Sequence, residues 1–155
     1  RARELGLPFT IHAGVCGSAA NIRDALEAGA LRIGHGIAMG GQTELERLCR
    51  QKNIGIEMCP VSNLQTKAVE SPGEYPLREF LDQRLKVTIN TDNRTVSGST
   101  LSGELEFVQE SWGIRDQEIW QLMENAAEVS FAPDRVKEKL IRQIRAAKGG
   151  DYETL

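Results

Sequence analysis

Two histidines are the whole imidazole supply of this 155-residue chain, and each stands at the end of a short apolar and β-branched run. His12 comes late in Phe9-Thr10-Ile11-His12-Ala13, and His35 ends Leu31-Arg32-Ile33-Gly34-His35. A third polar cluster, Asn90-Thr91-Asp92-Asn93, follows Leu85-Lys86-Val87-Thr88-Ile89. A further run, Ile54 to Cys59, leads into Pro60-Val61-Ser62-Asn63. Imidazole and carboxylate are ligand types that zinc takes in catalytic sites. One histidine after a strand is more often a packed or capping residue. Two histidines and an aspartate on three strand ends of one array read instead as a shared site. Gly34 and Gly36, on either side of His35, permit tight turns and close approach of a ligand.

Side chains so far apart in sequence need a scaffold that gathers them. Strand and helix signals alternate from Phe9 to Asn90. A helix is expected over Ala19–Ala28, stopped by Gly29, and another over Thr43–Gln51, with Leu45 and Leu48 inward and a capping box between Thr43 and Glu46. Val61 to Gly73 reads as a long polar loop, and Tyr75 to Gln83 as a helix carrying Leu77, Phe80 and Leu81 on one face. After the fourth strand only helices are expected, over 101–112, 115–129 and 133–147, the last with Val136, Leu140 and Ile144 inward. Trp112 and Trp120 read as packing residues. Units of roughly 25 to 30 residues argue for parallel strands joined by right-handed crossovers. An open doubly wound sheet and half of a (β/α)8 barrel both fit this periodicity. In the barrel, C-terminal strand ends converge on one mouth, which is where the polar clusters lie.

Composition narrows the class. With 40% hydrophobic and 26% charged residues the chain is an ordinary globular one. A net charge of -3 offers nothing to nucleic acid or to an anionic membrane, and neither is expected as a partner. No apolar run approaches the roughly 20 residues that span a bilayer, and no secretory signal opens the chain. Cys16, Cys49 and Cys59 are odd in number and scattered, so unpaired thiols and a cytoplasmic location are expected. Arg1 to Pro8 reads as the last turn of a helix capped at Gly6, as in a piece of something longer. Lys148 to Leu155 reads as a frayed tail.

The motif set resembles the adenosine deaminase family. His12-Ala13-Gly14 is similar to that family's His-Ala-Gly-Glu strand end, and Arg32-Ile33-Gly34-His35-Gly36 to its next strand. Cys59-Pro60-Val61-Ser62-Asn63-Leu64-Gln65-Thr66 and Asn90-Thr91-Asp92-Asn93-Arg94 match the two that follow, in bacterial form. The resemblance implies an α/β fold: strands five to eight of a (β/α)8 TIM-type barrel over residues 1–147, with extra C-terminal helices and a tail over 148–155. It implies zinc held in the complete enzyme by His12 and Asp92. Asp92 would also hold the attacking hydroxide, and His35 would orient it and help move its proton. Asn93 would contact the purine N7, where many members have Asp; an amide can still donate there. The implied reaction is hydrolysis of adenosine, or a related aminopurine, to the deaminated product and ammonia.

Three departures qualify that expectation. Val15 stands where the family has the glutamate that protonates N1, and losing a general acid typically costs about 10²–10⁴-fold. No His-x-His pair is present to supply the family's remaining zinc ligands, so weak or no zinc binding, and no activity, is expected of this chain alone. A half-barrel also has two raw edges and, as expected here, an apolar inner face. An N-terminal half-barrel or a second copy of the chain is the expected partner. A non-catalytic module that assembles or weakly binds purines is the alternative, and Val15 favours it.

Overall fold

Each of the four runs forms a strand, shorter by a residue or two than the pattern alone indicates. In the computed structural model, which describes residues 1–150, β1 is Thr10–Ala13, β2 Arg32–His35, β3 Gly55–Met58 and β4 Lys86–Ile89. They make one parallel sheet in the order β1-β2-β3-β4. β1 and β4 are the outer strands, each with one edge unpaired among the described residues.

Among the described residues eight α-helices accompany the sheet. Between strands run α1 (Ala19–Ala28), α2 (Thr43–Gln51), α3 (Pro60–Gln65) and α4 (Leu77–Asp82); α5 (Arg94–Ser97), α6 (Leu101–Trp112), α7 (Asp116–Val129) and α8 (Asp134–Lys148) follow β4. α1 ends at Gly29, whose φ of 97° is the left-handed cap that stops it. Of the tail expected from Lys148, that residue ends α8, and positions 151–155 lie outside the described residues.

Register explains how one sheet serves two environments. Ile11, Ile33, Ile56 and Val87 lie side by side in the ladder and belong to the core, with Ile22, Leu26, Leu45, Leu77 and Phe80 contributed by the helices. The adjacent row, His12, Gly34, Glu57 and Thr88, points to the other face. That face is polar, not apolar as expected. Thr10 Oγ1 donates to Glu57 Oε2 at 2.7 Å. Arg32 Nε lies 3.0 Å from Glu57 Oε1, off the N–H axis, so the contact is an ion pair and not a hydrogen bond. The core row faces the helices and sheds water; the other row lines the cleft at the C-terminal ends of the strands, while Glu128 and Val129 of α7 lie against Lys86 and Gly55 at the opposite ends.

Three local expectations are corrected. Val61 to Gly73 is not all loop, because α3 begins directly after β3 with Pro60 at its first position. Thr43 and Glu46 form no capping box: Gln42 is the cap residue, and Glu46 is buried toward Glu79. α8 buries none of its residues, and Val136 and Leu140 are exposed, because this helix packs along α7 on one side only. Trp112 does pack, its ring 5.1 Å from that of Tyr75, with Nε1 donating to the Pro72 carbonyl at 2.7 Å.

Candidate active site

The strand ends converge as the sheet requires. His12, His35 and Asp92 line one cleft of about 490 Å³, together with Thr10, Gly34, Glu57, Cys59, Asn90 and Leu101. The two imidazoles meet edge to face, ring centroids 4.4 Å apart and planes at 61°. Gly34 sits beside the pair, where a Cβ would stand 3.3 Å from the His12 Cα, closer than ordinary contact. His12 and Asp92 are exposed in the cleft, whereas His35 is buried.

His35 has φ 67° and Asp92 φ 53°, left-handed values that cost a residue bearing Cβ roughly 1–2 kcal/mol. At His35 this turns the side chain out of the alternation of β2 and into the cleft. Asn53, Lys67 and Arg84 adopt the same conformation on the surface, so the conformation alone does not mark a site.

Helix α3 supplies the partners of both His35 and Asp92. Ser62 Oγ donates to Asp92 Oδ2 at 2.6 Å, and Asn63 Nδ2 lies 3.0 Å from His35 Nδ1. Tyr75 Oη donates to Asn63 Oδ1 at 3.2 Å. The helix start is secured from α6. Pro60 has no N–H, the Cys59 side chain makes no cap, and the Val61 N–H donates to Glu104 Oε2 at 3.1 Å. Glu104 is fully buried and its other oxygen has no partner among the described residues. Burial raises its carboxyl pKa, against the pull of the Val61 N–H. Ser62 and Asn63 were visible in sequence only as part of a motif, and Tyr75 and Glu104 only as helix residues. Pro60 after a strand was the signal for the helix that places them.

Electrostatics assign states. His35 is held below its ordinary pKa, first by burial and then by the neighbouring His12; its bond to Asn63 and the carboxylates of Asp92 and Glu57 oppose this. The ring is therefore neutral at neutral pH. The Cys59 thiol is pushed up to about 12, chiefly by burial and then by Asp92 and Glu104, so it lines the cleft as a thiol. Asn93 is not among the lining residues. It caps α5, its Oδ1 accepting from the Thr95 and Val96 N–H groups at 3.1 Å each, which leaves its amide nitrogen for a ligand. Val15 lies just after β1, half-buried and also outside the lining.

His12 and Asp92 have the donor chemistry zinc takes, but they are two. Among the described residues no group of three or more His, Cys, Asp or Glu is arranged to hold a metal ion. Nor is any helix among them long and apolar enough to cross a membrane.

A family model described as adenosine deaminase matches residues 1–147. The chain belongs to the adenosine deaminase family. It is 46% identical over 145 residues to an adenosine deaminase of Clostridium botulinum (strain Okra / Type B1), covering 93% of this chain and 43% of that protein. It is 43% identical over 143 residues to an adenosine deaminase of Enterococcus faecalis, covering 92% and 42%. The crystal structure of an adenine deaminase from Arthrobacter aurescens superposes with a TM-score of 0.90 at 29% identity, over 96% of this chain and 46% of that one. The chain thus spans less than half the length of these deaminases.

Proposed function

We propose that residues 1–147 are the C-terminal half, strands five to eight, of a (β/α)8-barrel adenosine deaminase that hydrolyses adenosine to inosine and ammonia. The observation that carries this reading is the gathering of His12, His35 and Asp92 around one cleft at the C-terminal ends of parallel strands. In the complete enzyme, zinc would be held by His12 and Asp92 with ligands from the other half, and would supply hydroxide at neutral pH by lowering the pKa of water from about 15.7 towards 7. His35, neutral in its buried position, orients the attacking hydroxide. Asp92, steadied by Ser62, presents its free oxygen to the same hydroxide. Asn93 donates from its amide nitrogen to the purine N7.

The unpaired edges of β1 and β4 are where the missing strands would add, from an N-terminal half-barrel or from a second copy of this chain. Alone, the chain is inactive in this reading, because it carries two zinc ligands and lacks the N1 proton donor. Val15 favours a second reading, in which the chain is a non-catalytic module that retains the fold and a weak purine site. The likeness to an adenine deaminase supports a third, in which the substrate is a different aminopurine.

One experiment separates them. This chain is mixed with the N-terminal half of the Clostridium botulinum relative and zinc, and loss of adenosine absorbance is followed, then repeated with Val15→Glu and with adenine. A rate that rises about 10²–10⁴-fold with the glutamate supports the enzyme reading. No rate in any mixture, with the halves shown to associate, removes it.

A further inference from the structure

His35 has two ring nitrogens, and which one carries the proton decides what it can offer a ligand. Nδ1 faces the Asn63 amide nitrogen at 3.0 Å. An amide nitrogen only donates, so an Nδ1 in this contact must accept and must be bare. The orientation of that amide is set at its other end, where Asn63 Oδ1 meets the Tyr75 hydroxyl at 3.2 Å. A hydroxyl can donate or accept, so this bond by itself allows the amide to be turned over. In the structure the phenol donates to Oδ1, which turns the amide nitrogen toward the His35 ring. Asn63 is 1% and Tyr75 4% exposed, so water cannot take the place of either partner.

Donation then runs one way along the line, from Tyr75 to Asn63 and from Asn63 to His35. We propose that Asn63 and Tyr75 are positioning residues that lock His35 as the neutral tautomer with its proton on Nε2. The purpose of the lock rests on the deaminase reading, in which His35 must present a hydrogen-bond donor to the attacking hydroxide. Its existence does not, because all three groups belong to this chain. The line reaches His35 from α3 and the turn before α4.

The chain's two histidines make the test direct. A long-range ¹H–¹⁵N correlation spectrum of the labelled full chain resolves two imidazole patterns, assigned with His12→Gln. The neutral His35 ring is expected to show a bare Nδ1 and a protonated Nε2. Asn63→Asp replaces the donor by an acceptor and is expected to move the proton to Nδ1. Asn63→Leu and Tyr75→Phe are each expected to leave a mixture of tautomers. A proton on Nδ1 in the unsubstituted chain overturns the proposal. So does an unchanged single tautomer in any of these variants that keeps a folded amide spectrum. Tyr75→Phe, the mildest change, serves if the Asn63 variants do not fold. The measurement needs no zinc, second half or substrate, so a failure of the deaminase reading leaves its result intact.

Discussion

Ser62 Oγ reaches Asp92 Oδ2 over 2.6 Å, a bond between the first turn of α3 and a residue 30 positions later. It holds the one carboxylate of the proposed zinc site by a neutral donor, so the charge on Asp92 is oriented without being cancelled. Such supporting hydrogen bonds commonly contribute about 10–100-fold to metal affinity. Ser62→Ala is therefore expected to weaken zinc binding by the complex of both halves by about that factor. Chelator competition against the unsubstituted complex measures it, and an unchanged affinity would mean that Asp92 is not a ligand.

Gly14 tests the packing beneath the first motif. Its φ is 74°, and a Cβ would fall 2.6 Å from the buried Ile22 Cδ1. Gly17 has a similar φ of 82° but nothing within 4 Å. Gly17→Ala should cost only the left-handed penalty of about 1–2 kcal/mol. Gly14→Ala should add roughly 1–3 kcal/mol of overpacking. Denaturant unfolding of the two variants ranks them, and equal losses would refute the clash.

Glu118 predicts behaviour in acid. Its bond to Arg78 is the first cause of a carboxyl pKa lowered from 4.5 to about 2, with Arg115 adding to it. A depressed folded pKa contributes stability that is present above 4.5 and lost as pH falls toward 2. Arg78→Ala should lower stability at neutral pH and flatten the fall between those two values. Unfolding midpoints across that window provide the check, and parallel curves for the two proteins would contradict the assignment.

Glu46 predicts the opposite sign. It is 3% exposed, one of its oxygens lacks a partner among the described residues, and Glu79 stands beside it. Burial first, and then Glu79, raises its pKa above 4.5, so the fold favours the protonated acid. Its contribution is full below that value and declines as pH rises through the folded pKa. Glu46→Gln, neutral at every pH, should stabilise the chain at neutral pH and confer no such gain in acid. Thermal unfolding at the two conditions decides, and a loss at neutral pH would show that the carboxylate is stabilising.

Much of the scaffold could be read from residue order because its signals are local. β-branched runs bounded by Pro8, Gly14 or Pro60, and helices stopped by Gly29 or started at Thr100, depend on neighbours within a turn or two. The polar inner face was also legible. Thr10-Ile11-His12-Ala13 and Lys86-Val87-Thr88-Ile89 alternate as strands with one wet side do, and the expectation of an apolar lumen ran against that period.

Residue order was sufficient to place His12, His35 and Asp92 at the ends of parallel strands, because strand direction and a right-handed crossover bring such ends to one side of a sheet. It could not say who holds them. Ser62 on Asp92, Tyr75 through Asn63 on His35, and Glu104 under Val61 join positions 12 to 43 residues apart. Those contacts depend on how α3 is tilted against β4 and α6, and packing alone sets that tilt. The same holds for the left-handed turns at His35 and Asp92, a strain that only the assembled surroundings can impose.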